Sequence, residues 1–275
     1  MAKFLNFFDN NEQRSTYELS DQYVSPYVSA IKDENGGGGV NPRYNVPSDT
    51  LCILMLKDGS TLYIKGENTI NREVIFPYHE DIIKAKITGR CTTIGQYCFV
   101  LCSHLLSVTI PNSVTTIGET AFGECKSLSS VTIPDSITNI KNQTFYDCTS
   151  LEHITLPNSI KEIGENAFFN CGLKELIIPE GVNKIDGSAI SSCFNLESIT
   201  LPSSLKTINN DGYLGKKCDK LRAIKIYGKF FKFSTIDIFN DRADLTLYVD
   251  PSLVNTYKKV RDQYYGRYKV LPLEN

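Results

Sequence analysis

A block of 23 residues recurs through the middle of this 275-residue chain, and the repeat limits the possible folds more than any other feature. The isoleucine that opens each block is found at Ile94, Ile117, Ile140, Ile163, Ile185 and Ile208. Repetition at a fixed period of this length is typical of solenoids, in which each unit packs on its neighbours. One block cannot bury its apolar face alone, so the sequence predicts that the blocks stack into a continuous core.

Each block places the same kind of side chain at the same position. A large apolar residue follows the isoleucine by five positions, at Phe99, Phe122, Phe145, Phe168, Ile190 and Tyr213. A cysteine comes next, and then a leucine. Alternate apolar residues such as Val131 and Ile133 predict a short strand, which Pro134 ends because proline has no N–H for a ladder. Ala121, Phe122 and Cys125 have helical spacing, which predicts a short helical turn that carries them inward.

One step of the repeat has 22 residues, because Gly172 alone stands between Cys171 and Leu173 where other blocks have two residues. Shortening a loop leaves the core positions in register. We therefore expect six strands to form one continuous face, which at about 4.8 Å per strand is on the order of 25 Å across.

The whole block reads Ile-Gly-x-x-Ala-Phe-x-x-Cys-x-x-Leu-x-x-Val-Thr-Ile-Pro-x-Ser, and it resembles the BspA-like leucine-rich repeats of bacterial surface proteins. The resemblance covers roughly residues 92–230. It implies a repeat solenoid of short β-strands and short helical turns, capped at both ends. It also implies a non-enzymatic binding or adhesion module that recognises a protein or glycan through the solenoid surface and is displayed on a cell surface or virion.

The flanking segments predict a cap at each end of the 92–230 solenoid. Residues 49–91 indicate a β cap with a degenerate repeat, including a hairpin over 51–65 that turns at Asp58-Gly59. Residues 231–275 indicate a capping module: a strand from Leu245, a helix that begins at Pro251 with Asp250 as its cap, and a last strand. The tyrosines of this module cover the last coil or, alternatively, form an aromatic binding patch; they are Tyr257, Tyr264, Tyr265 and Tyr268.

Residues 1–48 differ in composition from the repeats. They are polar and contain Gly36-Gly37-Gly38-Gly39, which predicts a flexible joint in a flexible or docking arm. The stretch from Ser25 to Asp33, with Asn41-Pro42, resembles short N-terminal segments of gut-phage virion proteins. This resemblance implies an alternative function, in which the chain is a structural component of a phage virion and residues 1–48 dock it to virion assembly proteins.

The repeat explains most of the nine cysteines. A free cysteine behaves as a small apolar residue, so one cysteine per block predicts a column of buried thiols. These residues are Cys102, Cys125, Cys148, Cys171 and Cys193. The alternative is a zinc site formed by Cys91, Cys98, Cys102 and His104, but the spacing lacks paired C-x₂₋₄-C ligands. Cys98 also takes the position of Ala121, so packing accounts for it, and we expect no metal.

Composition and motifs exclude several functions. The chain has 29 basic and 31 acidic residues, mixed along its length, which disfavours nucleic acid as a partner. No apolar run is long enough to span a membrane, and no signal peptide is evident at the N-terminus. His79, His104 and His153 lie in no catalytic motif, and no nucleotide-binding loop is present, so we expect neither an enzyme nor a cofactor.

Outward positions of the predicted strands are mostly serine and threonine, which suits a solvated sheet. The exceptions are His153, Glu175, Ile177 and Lys225, with Glu152 and Lys174 beside them. The candidate contact patch for a partner consists of His153, Thr155, Lys174, Glu175, Ile177 and Lys225. A second candidate is an apolar loop row of Val100, Leu101 and Phe169, where other blocks have polar residues.

Overall fold

The repeat forms coils that stack along one axis, as a computed structural model of the chain shows. The structure describes residues 46–209, 214–228, 243–263 and 266–274, together with the backbone of three strands nearer the N-terminus. Tyr213, Tyr264 and Tyr265 lie outside the described residues, as does the Gly36–Gly39 run.

The N-terminal part contains two antiparallel units. In chain order its strands are β1 (Leu5–Phe8), β2 (Arg14–Tyr17), β3 (Ser29–Asp33), β4 (Thr50–Leu56), β5 (Thr61–Lys65), β6 (Thr69–Ile70) and β7 (Ile82–Ile87). Strands β1 and β2 pair with each other, and β3 pairs with β5. The predicted hairpin is confirmed, because β4 and β5 pair antiparallel and Gly59 takes a φ of 81° at the turn. A short helix α1 (Arg72–Ile75) and a 3₁₀ turn (Phe76–Tyr78) connect β6 to β7.

Each coil contributes two short strands on different sides of the solenoid. In chain order they are β8 (Thr93–Ile94), β9 (Ser107–Thr109), β10 (Thr116–Ile117), β11 (Ser130–Thr132), β12 (Asn139–Ile140), β13 (His153–Thr155), β14 (Glu162–Ile163), β15 (Glu175–Ile177), β16 (Lys184–Asp186), β17 (Ser198–Leu201), β18 (Thr207–Asn209) and β19 (Ala223–Ile226). Strands of successive coils pair parallel, with core residues in register such as Val131 beside Ile154. The predicted repeat solenoid is confirmed.

The C-terminal cap follows the predicted order. Strand β20 (Thr246–Val249) pairs with β19, a 3₁₀ turn (Pro251–Leu253) leads into α2 (Val254–Gln263), and β21 (Lys269–Pro272) pairs with β20. The Asp250 side chain accepts a hydrogen bond from the Ser252 N–H at 2.8 Å, as expected of a helix cap. Tyr257 and Tyr268 are buried, so these two cover the last coil and present no exposed aromatic patch.

Aromatic rings form one column of the core. Phe99, Phe122, Phe145 and Phe168 are fully buried, and their rings stack nearly parallel with centroids 5.3, 5.5 and 5.9 Å apart. The leucine and isoleucine positions of the repeat are buried beside them. The side chains of successive coils therefore form a single apolar interior, as the repeat predicts.

The cysteine column does more than fill space. All nine cysteines are buried, and none forms a disulfide. Four thiols of the column donate to the carbonyl oxygen of the aromatic position one coil earlier: Cys125 to Phe99 at 3.2 Å, Cys148 to Phe122 and Cys171 to Phe145 at 3.1 Å, and Cys193 to Phe168 at 3.0 Å. Cys218 extends the column by one member that the spacing did not reveal. Most of these carbonyl groups already accept an amide hydrogen bond within their own coil, for example Phe122 from Cys125, so the thiols add a second hydrogen bond that links successive coils.

The predicted short helical turn is wrong in detail. The segment is a series of turns in which two residues, four positions apart, take left-handed backbone, for example Thr120 at φ 52° and Glu124 at φ 59°. The amides of Ala121 and Gly123 bond within the turn, three residues back, whereas those of Phe122 and Glu124 bond to the next coil. Every second amide of this segment therefore bonds to the next coil. The side chains of Ala121, Phe122 and Cys125 still point inward, as the spacing predicts.

Candidate functional site

The front of the solenoid is interrupted between two coils. Its strands form a sheet in the order β13-β11-β9-β7-β4-β5-β3, here called the N-terminal front sheet, and a second in the order β15-β17-β19-β20-β21, the C-terminal front sheet. The Ile133 amide bonds to the Thr155 carbonyl at 3.0 Å, and the Ile178 amide bonds to the Thr200 carbonyl at 2.9 Å. Among the described residues, no equivalent bond joins Leu156 to Ile177. The expectation of one continuous face is therefore wrong.

The interruption lies directly after the 22-residue step. Gly172 is buried, and a Cβ atom at this position would be 2.4 Å from the Thr149 carbonyl oxygen. The shortened loop thus passes so close to the preceding coil that only glycine fits. Leu173 and Leu176 are buried as in the other coils, but β15 does not pair with β13. We attribute the interruption to the missing residue.

An open groove of about 690 Å³ lies at the interruption. Its lining residues come from three successive strand segments and the last repeat: His153, Ile154, Thr155, Leu156, Asn158, Glu175, Ile177, Ile178, Pro179, Glu180, Thr200, Pro202 and Tyr227. Ile154 and Leu156, which line the groove, are partly buried and pack against the apolar core, as Val108 and Ile110 do at the same repeat positions two coils earlier. The groove reaches the edge of the core through Ile154 and Leu156, and its volume is within the range of roughly 300–1,000 Å³ common for ligand sites.

Two exposed apolar side chains stand on the groove. Ile177 is 60% exposed and Tyr227 is 54% exposed. Ile177 takes a position that holds threonine in most other coils, and Tyr227 takes the position that holds proline. Exposed apolar groups beside a groove are typical of partner contacts.

The charged side chains of the groove are acidic. Glu175 is exposed on β15, and Glu180 accepts hydrogen bonds from the Ser203 N–H (2.8 Å), the Ser203 hydroxyl (2.9 Å) and the Ser204 N–H (3.2 Å). These hydrogen bonds, led by that of the Ser203 backbone, lower the pKa of Glu180 and keep its carboxylate ionised. No lysine or arginine lines the groove. It therefore presents fixed negative charge next to apolar surface.

The structure places the six predicted contact residues in three locations. His153, Thr155, Glu175 and Ile177 line the groove together. Lys174 lies beside it, where its Nζ is 2.7 Å from the Glu152 carboxylate and links the two coils across the interruption. Lys225 lies on β19, with its Cα opposite Thr200, and does not line the groove.

Sequence reasoning missed Glu180, Pro202 and Tyr227. Only Tyr227 carried a usable signal, because a tyrosine interrupts an otherwise regular column of prolines. Glu180 lies in a variable loop, and its role depends on Ser203 and Ser204 of the next coil. Pro202 looks like every other strand-ending proline.

The other candidate sites have structural explanations. Val100 is buried, and Phe169 stacks on Tyr146 with ring centroids 5.1 Å apart, so the apolar loop row packs locally. Cys91, Cys98 and Cys102 are buried while His104 is exposed next to Ser103. Within residues 46–209, 214–228, 243–263 and 266–274, no three metal-ligating side chains meet in a group that could hold an ion.

Helices in the described part of the chain are too short or too polar to cross a bilayer. The longest of them, α2, has ten residues.

Parallel ladders, stacked coils and one leucine position per coil define a leucine-rich-repeat solenoid. Residues 68–194 and 115–246 match the BspA type leucine rich repeat region, in six copies. The matched residues make up more than half of the chain, which therefore belongs to the BspA type leucine-rich-repeat family. Membership of this family is consistent with a non-enzymatic repeat module that binds a partner.

Two solved structures resemble the chain over most of its length. A leucine-rich repeat protein from Bacteroides ovatus matches with a TM-score of 0.52 and 26% identity, over 84% of this chain and 56% of that protein. A leucine-rich repeat protein from T. pallidum matches with a TM-score of 0.53 and 26% identity, over 65% of this chain and 83% of that protein. The chain thus spans just over half the length of the Bacteroides protein. No curated protein shows significant sequence similarity to it.

Proposed function

We propose that this chain is a non-enzymatic recognition or adhesion module, displayed on a cell surface, which binds a protein or glycan partner through the groove between β13 and β15. The interruption of the front ladder carries the proposal. It is the place where the described solenoid opens its apolar core to a groove and presents exposed Ile177 and Tyr227 together. Solenoids commonly bind through such extended surfaces.

The alternative, a virion component docked through residues 1–48, stays a prediction. Most of that segment lies outside the described residues, and only the backbones of β1, β2 and β3 are described there.

Removing the two exposed apolar groups of the groove is expected to weaken recognition strongly without affecting the fold. The labelled wild-type chain would be applied to arrays of extracellular-matrix proteins and of glycans. The double variant Ile177→Ser/Tyr227→Ser should bind its target at least about tenfold more weakly, because exposed aromatic and large apolar groups dominate binding energies.

A matched control removes similar groups elsewhere. Leu106 is 48% exposed and Phe194 is 50% exposed, and neither lines the groove. The variant Leu106→Ser/Phe194→Ser should therefore bind like the wild type. The proposal is wrong if no array target binds the wild type, or if the groove variant and the control bind equally well.

A further inference from the structure

The two strands that face the groove have backbone groups without ladder partners. In a parallel ladder, alternate residues direct both N–H and C=O toward the same neighbour. The bonds from Ile133 to Thr155 and from Ile178 to Thr200 fix this alternation. It follows that Ile154 on β13 directs its N–H and C=O toward the groove. Glu175 and Ile177 on β15 do so from the opposite side.

An extended chain satisfies such groups with its own backbone. Adding a strand to an open sheet edge supplies main-chain hydrogen bonds, and the alternate side chains of the added strand then fill whatever pockets the edge offers. Here the groove has an open edge on both sides, one on each front sheet. An inserted strand would continue both sheets.

The side chains of the groove select the residues of that strand. One set of contacts is apolar, from Ile154, Leu156 and Tyr227. The other is anionic, from Glu175 and the immobilised carboxylate of Glu180. Glu175 and Glu180 would repel an acidic strand, and no lysine or arginine in the lining offsets them. Charge complementarity therefore favours lysine or arginine in the ligand, alternating with apolar side chains.

We infer that the groove binds a protein partner by taking one extended segment of it, with alternate basic and apolar side chains, between β13 and β15. This inference rests on the proposed function and names the partner class. A glycan offers neither the continuous row of amide donors nor the fixed two-residue alternation that these edges match.

Selection from a random peptide library, performed on the full-length chain, tests the inference. The reference is a variant with a serine inserted between Gly172 and Leu173, which restores the 23-residue step and should close the ladder. Peptides enriched on the wild type over this variant should carry net positive charge and alternate apolar residues. A synthetic peptide of the enriched sequence should bind the wild type at least about tenfold more tightly than the insertion variant.

Two further probes separate backbone from side-chain recognition. N-methylation of alternate residues of the synthetic peptide removes its N–H donors and should weaken binding at least about tenfold. Glu175→Gln should weaken binding several-fold, more so at low salt, because it removes one of the two charges.

Each outcome of these experiments either supports or overturns the inference. If no peptide is enriched, if the enriched peptides are acidic, or if N-methylation has no effect, the inference is overturned. The array experiment is independent of this result. A glycan that binds the wild type and not Ile177→Ser/Tyr227→Ser would support the proposed function and overturn the strand inference alone.

Discussion

Raising the pH from neutral to about 10 is expected to remove most of the folding stability of this protein, because its thiols are protonated when folded. Burial raises the pKa of seven of them above the ordinary value of 9.0, to about 12 for Cys102. A hydrogen bond with Cys218, together with burial, raises the pKa of Cys193. Thiols in the unfolded chain have no such shift and ionise near pH 9.

The direction of the effect follows from these pKa values. Below pH 9 the thiols are neutral in both states, and stability does not depend on them. Above pH 9 the unfolded chain loses protons that the folded chain keeps, so stability falls until the pH passes the raised values. Each of the seven thiols whose pKa is raised well above 9.0 contributes roughly 1 kcal/mol to the loss between pH 9 and 10, and the seven together on the order of 7 kcal/mol. A typical folded domain has only about 5–15 kcal/mol in total.

Urea unfolding at a series of pH values measures this loss and the number of protons that accompany it. The wild type should lose several protons on unfolding at pH 10. In the variant Cys125→Ala/Cys148→Ala/Cys171→Ala the number should fall by about three, and in each single variant by about one. If the stability of the wild type is constant between pH 8 and 10, the thiols are not in a dry interior.

Truncating one ring of the aromatic column is expected to cost about 3–5 kcal/mol of folding stability. Phe145 is fully buried, and its ring stacks between those of Phe122 and Phe168. Phe145→Ala leaves a cavity that the stacked coils cannot close, since the backbone on each side is fixed by bonds to the next coil. The loss of two stacking contacts adds to the cost.

The neighbouring residue provides the control. Tyr146 stacks on Phe169 but is only partly buried, on the outside of the same turn. Tyr146→Ala should cost about 1 kcal/mol, because removing a partly exposed ring leaves no enclosed cavity. Urea unfolding at neutral pH measures both variants. Equal costs for the two variants would show that the column at Phe145 does not hold the coils together.

The sequence specifies the core columns because their chemistry repeats. Isoleucine, phenylalanine, cysteine and leucine each recur at a fixed step, and a position that holds Phe122 in one coil and Phe145 in the next can only be interior. The capping helix was also predictable, since Asp250-Pro251 is a local signal that needs no tertiary contact.

Other features depend on how coils meet, which the order of residues along one coil does not reveal. The thiol of Cys148 reaches the carbonyl of Phe122 only once the coils are stacked, and thiols are weak donors that no pattern would identify. The left-handed backbone at Thr120 is equally hidden, because a β-branched residue is a poor indicator of that conformation.

The groove could be predicted from the sequence only in part. Loss of one residue at Gly172 was visible, but its consequence for the ladder was not, because core side chains tolerate the shorter loop whereas backbone hydrogen bonds require a precise approach. Four of the six predicted contact residues line the groove, and three of these, His153, Glu175 and Ile177, were chosen as exceptions on the outward face. Lys174 was chosen as a neighbour of the exceptions, and it forms an ion pair with Glu152.

Amide hydrogen exchange of Leu156 tests most directly whether the 22-residue step opens the solenoid. The amides of Ile133 and Ile178 occupy the equivalent position in the closed ladders and serve as internal references. In the wild type, Leu156 should exchange at least about 100-fold faster than either reference. With a serine inserted between Gly172 and Leu173, it should exchange as slowly as they do. Slow exchange of Leu156 in the wild type, or fast exchange in both proteins, would contradict the account.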